Sequence, residues 1–469
     1  MHTLISSSDE LINRNSEPIN VSIPQTTNEL PAPSPRPPPR CISLEPKTDS
    51  TAPLPVVIRE VPSELRTWKI TREGLVEVNS GTMGAFLDKP KTNKSNITGE
   101  GKDIRYAIAS MQGWRIDMED AHVVEISMAD KEPFKDWAFF AVFDGHAGNV
   151  AAEQSAEHIL KTLLETKEFD DVRQILCENG SKLNERSIEL LESGMKTGFM
   201  ALDNIIRSRL AAKETDRSGT TAVCAILTPT HIIIANLGDS RAVVSRAGES
   251  SIGTEDHKPY LEKERERIVG AGGSVMIQRI NGSLAVSRAL GDFDYKAVPG
   301  LCPTKQLVSC EPDIYVIPRK QDLDQFMVLA CDGIYDVMEN DELCSFVEDR
   351  LQVSPKLEDV CNQVLDACLH RGSRDNMTII LICFQNAPKL DEEKREKEET
   401  WAVDMRQKIQ EVLDEELASP HWNKEEVVSI SWVLRRLSAK VETDTGPAPH
   451  RLRTIIDQVL TEKGITHDH

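Results

Sequence analysis

Long apolar runs are missing from this 469-residue chain. None approaches the roughly 20 residues that a membrane-spanning helix needs, and no basic-then-apolar leader opens the sequence. A soluble, intracellular protein without a membrane span is therefore expected. Closely spaced cysteine pairs are missing too. The ten cysteines, from Cys41 to Cys383, include no C-x-x-C pair and sit mostly in apolar runs such as Val223-Cys224-Ala225, so they read as reduced core residues. In that compartment the Asn96-Ile97-Thr98 sequon has no glycosylation role.

The third absence is an excess of positive charge. Asp and Glu number 76 against 55 Lys and Arg, a formal net charge of -21. Nucleic-acid binders usually carry a basic patch or stripe, so nucleic acid is not an expected partner. The same acidity would repel anionic substrates unless cations neutralise the site locally, which bound metal does.

What the chain does contain falls into three parts. Residues 1–100 are rich in Ser, Thr, Asn and Pro and peak in Pro31-Ala32-Pro33-Ser34-Pro35-Arg36-Pro37-Pro38-Pro39-Arg40, where proline removes the donors that helix or sheet would use. This part reads as a disordered arm, its proline run a solvated linker in preference to a polyproline II ligand. Residues 101–386 change to short apolar runs separated by Gly, Asp and Pro, the clearest at 138–143, 221–227, 232–235, 326–330 and 377–384. Several are continuously apolar, as in strands covered on both faces, one by another sheet and one by helices. Helical spacing recurs at 149–166, 187–209, 261–271 and 358–369. The expectation is an α+β fold: a β-sandwich flanked by helices on both faces.

Residues 387–469 open on the charged tract 391–399, read as an acidic linker, and continue into three helical patterns forming a small all-helical domain. Trp401, Met405, Ile409, Val412 and Leu413 share one face, Val427, Ile430, Val433, Leu434 and Leu437 a second, and Ile455, Ile456, Val459 and Leu460 a third.

Acids stand at the ends of the apolar runs. Phe139-Phe140-Ala141-Val142-Phe143 leads into Asp144-Gly145-His146, Met327-Val328-Leu329-Ala330 leads into Cys331-Asp332-Gly333, and the run from Met377 is entered through Ser373-Arg374-Asp375-Asn376. Singly, each reads as a turn. Together, carboxylates crowded on one sheet rim raise one another's pKa and repel unless a cation lies between them. Hard oxygen ligands suit Mg²⁺ or Mn²⁺. Arg115-Ile116-Asp117-Met118-Glu119-Asp120 adds a guanidinium able to clasp phosphate beside further acids. Cys331 lacks the surroundings of a nucleophilic thiol and reads as core.

These segments resemble the signatures of the metal-dependent protein phosphatases, also called type 2C, and within them the animal alpha/beta-type members. The resemblance runs from about Met83 to the C-terminus. It rests on Gln112-Gly113-Trp114-Arg115, Glu119-Asp120-Ala121-His122, Phe143-Asp144-Gly145-His146-Ala147-Gly148, Ser218-Gly219-Thr220-Thr221-Ala222, Asn236-Leu237-Gly238-Asp239-Ser240-Arg241, Leu284 through Asp292, Cys331 through Asp336, and Gly372-Ser373-Arg374-Asp375-Asn376. Tyr335 departs from the family pattern, standing where tryptophan is usual.

The resemblance implies two packed antiparallel sheets flanked by helices, with residues 101–386 as the catalytic domain. It implies two Mg²⁺ or Mn²⁺ ions, bridged by Asp144, with the Gly145 carbonyl on one and Asp332 and Asp375 on the other. Glu119 would assist, and Asp239 with Asp332 would hold a weaker third cation. Arg115 would orient the substrate phosphate and His146 would protonate the leaving oxygen. Such an enzyme hydrolyses phosphoserine and phosphothreonine on intracellular signalling proteins, kinases among them. It does so by in-line attack of a hydroxide bridging two metals, without a covalent phosphoenzyme. A monomer in the cytoplasm and nucleus is expected. Met83-Gly84 resembles the family's own N-terminus, but Asp88 stands where a myristoylation motif wants Ser or Thr. The rival readings are a catalytically silent scaffold, against which every ligand position is filled, and a nuclease or small-molecule phosphohydrolase, for which no basic groove or deep-pocket signature is found.

Overall fold

The computed structural model describes residues 69–71, 74–76, 86–179, 182–211, 215–249, 251–418, 427–443 and 446–468. The proline run and Met83-Gly84 lie outside the described residues.

The apolar runs become strands. Five form one antiparallel sheet: β3 (Ala121–Glu125), β4 (Ala138–Phe143), β5 (Ala222–Leu227), β6 (His231–Leu237) and β8 (Asp313–Pro318), in the spatial order β8-β6-β5-β4-β3. The second sheet holds β1 (Phe86–Gly101), β2 (Ile104–Arg115), β7 (Arg241–Arg246), β9 (Asp324–Ala330) and β10 (Met377–Cys383), in the order β7-β9-β10-β2-β1, with the short strand Ile252–Gly253 outside β7. Alternation within β4 shows why its sequence is apolar throughout. Phe140 and Val142 face the second sheet, among Ile108, Val244, Leu329 and Ile380. Phe139, Ala141 and Phe143 face the helices α1 (Val150–Leu164), α2 (Lys167–Glu178) and α3 (Glu185–Ala211). The outer face of the second sheet is covered by α5 (Asn340–Val353) and α6 (Leu357–His370). A further helix, α4 (Glu262–Gly270), has its own small core around Ile268, Ile280 and Val308. The expected layers, helix-sheet-sheet-helix, are those observed.

Two boundaries differ from the sequence reading. The stretch 86–100, placed in the arm, is strand: β1 turns into β2 through Lys102 and Asp103, both at positive φ (53° and 63°), as a two-residue hairpin requires. Its Lys, Thr, Asn and Ser side chains are mostly exposed, so pairing with β2, not burial, holds it in place. The charged tract is not a linker either. Asp391 accepts from Lys394 N at 3.1 Å and caps α7 (Glu392–Leu417), whose first turns carry Arg395–Glu392 and Lys397–Glu393 pairs. Glu398, one turn later, is buried between Arg350 of α5 (2.7 Å) and Arg451 (2.7 Å), tying the C-terminal helices to the sandwich. There α7, α8 (Ile430–Ser438) and α9 (Leu452–Glu462) share a core of Met405, Ile409, Val433, Leu437, Ile456 and Val459. Val427, assigned to that core from its spacing, is 54% exposed.

One buried ionic knot fastens α4 to the first sheet. Glu264 accepts from Arg288 (2.7 Å), Arg267 (2.5 Å) and Ser287 Oγ (2.7 Å), while Arg288 also reaches Asp313 of β8 at 2.7 Å. Burial alone would raise the Glu264 pKa, but the two arginines outweigh it and hold it at about 2, against an ordinary 4.5. Between those values the unfolded chain binds the extra proton, so stability from this group is full above pH 4.5 and drains as pH falls toward 2. Glu264→Gln is expected to lower the unfolding free energy at pH 7 by about 3 kcal/mol. Urea melts of both proteins should show this gap shrinking by more than half by about pH 3; a gap independent of pH would refute the assignment.

Candidate functional site

Antiparallel register decides where the acids meet. Phe143 pairs with Ala121 and Leu237 with Ala222, so one end of the first sheet gathers the C-termini of β4 and β6 and the N-termini of β3 and β5. In the second sheet Ala330 pairs with Arg241 and Ile379, and Met377 with Met111, gathering the ends of β9 and β2 with the starts of β7 and β10. The connections 116–120 and 238–240 cross between the sheets at this shared rim. Asp144, Asp332, Asp375, Asp239, Glu119 and Asp120 all lie on it.

Local bonding fixes each position. The Asp144 carbonyl accepts from Thr221 N (2.9 Å) and Thr220 Oγ1 (3.0 Å), so its carboxylate projects from a pinned backbone. Gly145 lies against the Glu119 carbonyl, where a β-carbon has no room. Gly148 N donates to Glu119 Oε1 at 2.6 Å. Asp332 opens a single helical turn, Asp332–Tyr335, and the next residue, Gly333, touches the Asn376 carbonyl so closely that a side chain is excluded. Arg115 Nη2 donates to Asp375 Oδ2 at 2.8 Å, and Lys258 Nζ to Asp239 Oδ2 at 2.5 Å. His146 Nε2 stands 2.7 Å from Asp292 Oδ2.

The electrostatics are those of crowded acids. Removal from water and the charges of Asp332, Asp120, Asp375 and Asp239 hold the Asp144 carboxyl well above the usual carboxylate range. Asp332 is raised well above it too, by burial and then by Asp239, Asp375 and Asp336. Burial pushes Asp120 up to about 7, although Thr378 Oγ1 donates to its Oδ2 at 2.6 Å. Among the described residues, Asp120 Oδ1 and Asp239 Oδ1 are buried without a hydrogen-bond partner. Unpaired, desolvated carboxylate oxygens are costly in a protein and suit a divalent cation. Asp120, Asp144 and Cys331 offer atoms within 4.8 Å of one another. Burial drives the Cys331 thiol well above its usual range, so it stays protonated and belongs to the core as expected.

All eight site residues named from the sequence thus fall at one rim. Asp120, Asn376, Lys258 and Asp292 were not singled out. Asn376, at the entry of β10, is bonded to β2 and to the crossing 116–120: its Nδ2 donates to Gln112 O (2.9 Å) and Asp117 O (3.0 Å), and its Oδ1 accepts from Glu119 N (2.8 Å). Asp120 and Asn376 stand directly beside residues that were named, and that adjacency was the available signal.

Comparison with known proteins agrees with this geometry. A sequence profile described as Protein phosphatase 2C matches residues 104–377, more than half of the chain, and one described as Protein serine/threonine phosphatase 2C, C-terminal domain, matches 378–445. The chain belongs to the protein phosphatase 2C family. It is 52% identical over 427 residues to "Protein phosphatase ppm-1.A" of Caenorhabditis elegans, covering 90% of each chain. It is 48% identical over 359 residues to "Protein phosphatase 1B" of Homo sapiens, covering 76% of this chain and 72% of that one. These are the animal alpha/beta-type relatives that the motifs resembled. A crystal structure of a phosphatase from Toxoplasma gondii superposes with a TM-score of 0.52 at 25% identity, covering 63% of this chain and 96% of that one. This type 2C protein is accordingly a metal-dependent protein serine/threonine phosphatase. Among the described residues, no helix is long and apolar enough to cross a membrane.

The crowding yields a test without turnover. Saturating Mn²⁺ or Mg²⁺ should stabilise the folded chain, by about 2.7 kcal/mol at 100 times the dissociation constant. Asp144→Asn should remove that gain and, by relieving the crowding, should melt higher than the parent in EDTA. Calorimetry reads both effects, and a variant still stabilised as strongly by Mn²⁺ would remove Asp144 from the metal set.

Proposed function

We propose that this phosphatase hydrolyses phosphoserine and phosphothreonine on intracellular signalling proteins by in-line displacement with water, without a covalent phosphoenzyme, at a site holding two Mg²⁺ or Mn²⁺ ions. The observation that carries the reading is the convergence of Asp144, Asp332, Asp375 and Asp239 on one rim, with oxygens left unpaired and a guanidinium at its edge. Asp144, the Gly145 carbonyl, Asp332 and Asp375 would hold the ion pair, Glu119 would assist, and Asp239 with Asp332 would hold a weaker third cation. Bound divalent ions supply Lewis acidity, making water nucleophilic at neutral pH and offsetting phosphate charge.

The chain's own side chains do the rest. Arg115, held by Asp375 at 2.8 Å, retains donors with which to orient the phosphate bidentately. His146 gives its proton to the departing serine or threonine oxygen. Its imidazole suits that role: burial pulls its pKa down, but Asp292 at 2.7 Å and then Asp239 and Glu119 more than compensate, leaving it above the ordinary value. The proposed setting is that of a monomer acting in cytoplasm and nucleus.

Purified protein should release phosphate from a phosphothreonine peptide with Mn²⁺ or Mg²⁺ and stop on chelation. Asp144→Asn and Asp375→Asn should each lower kcat by about a hundredfold or more, while Arg115→Ala should chiefly raise KM. Turnover indifferent to EDTA would discard the metal mechanism, and activity confined to nucleic acid would revive the nuclease reading.

A further inference from the structure

His146 does not stand alone. It lies on a three-strand patch at the rim in which Gly145–His146 pairs with Gly219–Thr220, and Gly219–Thr220 pairs in turn with Leu290–Gly291. The residue that follows this patch, Asp292, is 5% exposed and directs Oδ2 to His146 Nε2. Several independent features converge on that contact. Gly219 lies between the two groups, and a methyl group there would overlap both Asp292 Oδ2 and His146 Nε2. Asp292 holds a left-handed backbone (φ 50°, ψ 42°), a conformation that costs most side chains energy but that Asp adopts more readily. The loop is pinned on both sides of it. Asp203, reaching from α3, accepts from Gly291 N (2.9 Å) and from the buried Lys296 Nζ (2.6 Å), and Lys296 also donates to Ala289 O (2.8 Å). Asp292 N itself donates to Ser218 O at 3.2 Å.

We propose that Asp292 is the positioning residue for His146: its carboxylate accepts from Nε2–H, fixes the plane of the ring, and leaves the Nδ1–H of the imidazolium to serve the substrate. A carboxylate that orients an imidazolium can change rates greatly without touching substrate, because it holds one N–H so that the other is aimed where a proton is needed. The step balances simply. The phosphorus–ester oxygen bond breaks with its electron pair remaining on the serine or threonine oxygen, which takes the proton from Nδ1. Water gives its oxygen to phosphorus and releases a proton to solvent, and the imidazole is reprotonated from solvent. This inference rests on the proton-donor reading of His146, and its test separates the two.

The experiment compares a phosphothreonine peptide, whose alkoxide needs a proton, with p-nitrophenyl phosphate, whose phenolate leaves without one, in the full-length Mn²⁺-loaded enzyme. Asp292→Asn is expected to lower kcat on the peptide by about 10- to 100-fold, with KM unchanged, against a much smaller loss on p-nitrophenyl phosphate. His146→Ala should show the same split. The double variant should be no worse than His146→Ala alone, since the two residues act as one unit. Equal losses on both substrates in Asp292→Asn, a peptide rate like the parent's, or a double variant that multiplies the single losses would overturn the proposal. A His146→Ala variant that slows both substrates alike would instead sink the proton-donor reading, and the proposal with it. Should Asp292→Asn not fold, nitrogen NMR of the His146 ring in the parent protein decides: a hydrogen-bonded Nε2–H is expected, and a bare Nε2 overturns it.

Discussion

Everything at the rim depends on keeping several carboxylates closer together, and drier, than their charges favour. Water would relieve Asp144 and Asp332, but the antiparallel ladders leave them only partly open to it. Each acid stands one or two residues beyond a strand end, and the partner strands cover the flanks. The crowding is thus a property of the two sheets as a unit, fixed by hydrophobic burial along β4, β5, β9 and β10 far from the charges themselves. Packing supplies the free energy that holds the acids in a place they would otherwise leave, and divalent cations turn the penalty into affinity.

A rim assembled from distant chain segments is only as accurate as its cross-links. Those seen here are short and mostly made by polar side chains to backbone groups. Asn376 ties the Gln112–Glu119 crossing to the entry of β10, Thr220 and Thr221 grip the Asp144 carbonyl, and Ser373 Oγ donates to Gly333 O at 2.7 Å. Glycine appears where two backbones must touch: Gly145 at Glu119, Gly333 at Asn376. Such contacts position ligands to a fraction of an ångström because they leave the backbone no alternative partner.

This division explains what the sequence disclosed. Strands buried on both faces carry their own signature, so β4, β5, β9 and β10 are legible, together with the acids that terminate them. Strands at or next to the sheet edges are not. The polar composition of β1 is that of an arm, and only the unseen ladder with β2 makes it strand; β7 and β8 carry Arg, Ser and Asp that interrupt any apolar run. The charged tract 391–399 misleads for a related reason, since Glu398 is buried only because Arg350, 48 positions away, meets it. Asp292 escaped for the same cause: its partner lies 146 positions earlier, and spacing along a chain says nothing about a contact that three short strands create.

The chain's own use of cations decides between a structural and a functional cluster of acids. At Glu264 the protein supplies two arginines and a hydroxyl, and the carboxylate is settled far below its ordinary pKa. That group is fully partnered and can do nothing else. At the rim, a protein with the same residues available places Arg115 against Asp375 and Lys258 against Asp239, both at the margin, and gives no such partner to Asp144 or to the inner oxygens of Asp120 and Asp239. Two acid sites in one molecule are therefore treated in opposite ways. A cluster meant only to hold the fold together would be neutralised from within, as Glu264 is. One that keeps its charge uncompensated at the centre and its arginine at the edge is arranged to receive positive charge from solution, and to present phosphate with both the ions and the guanidinium.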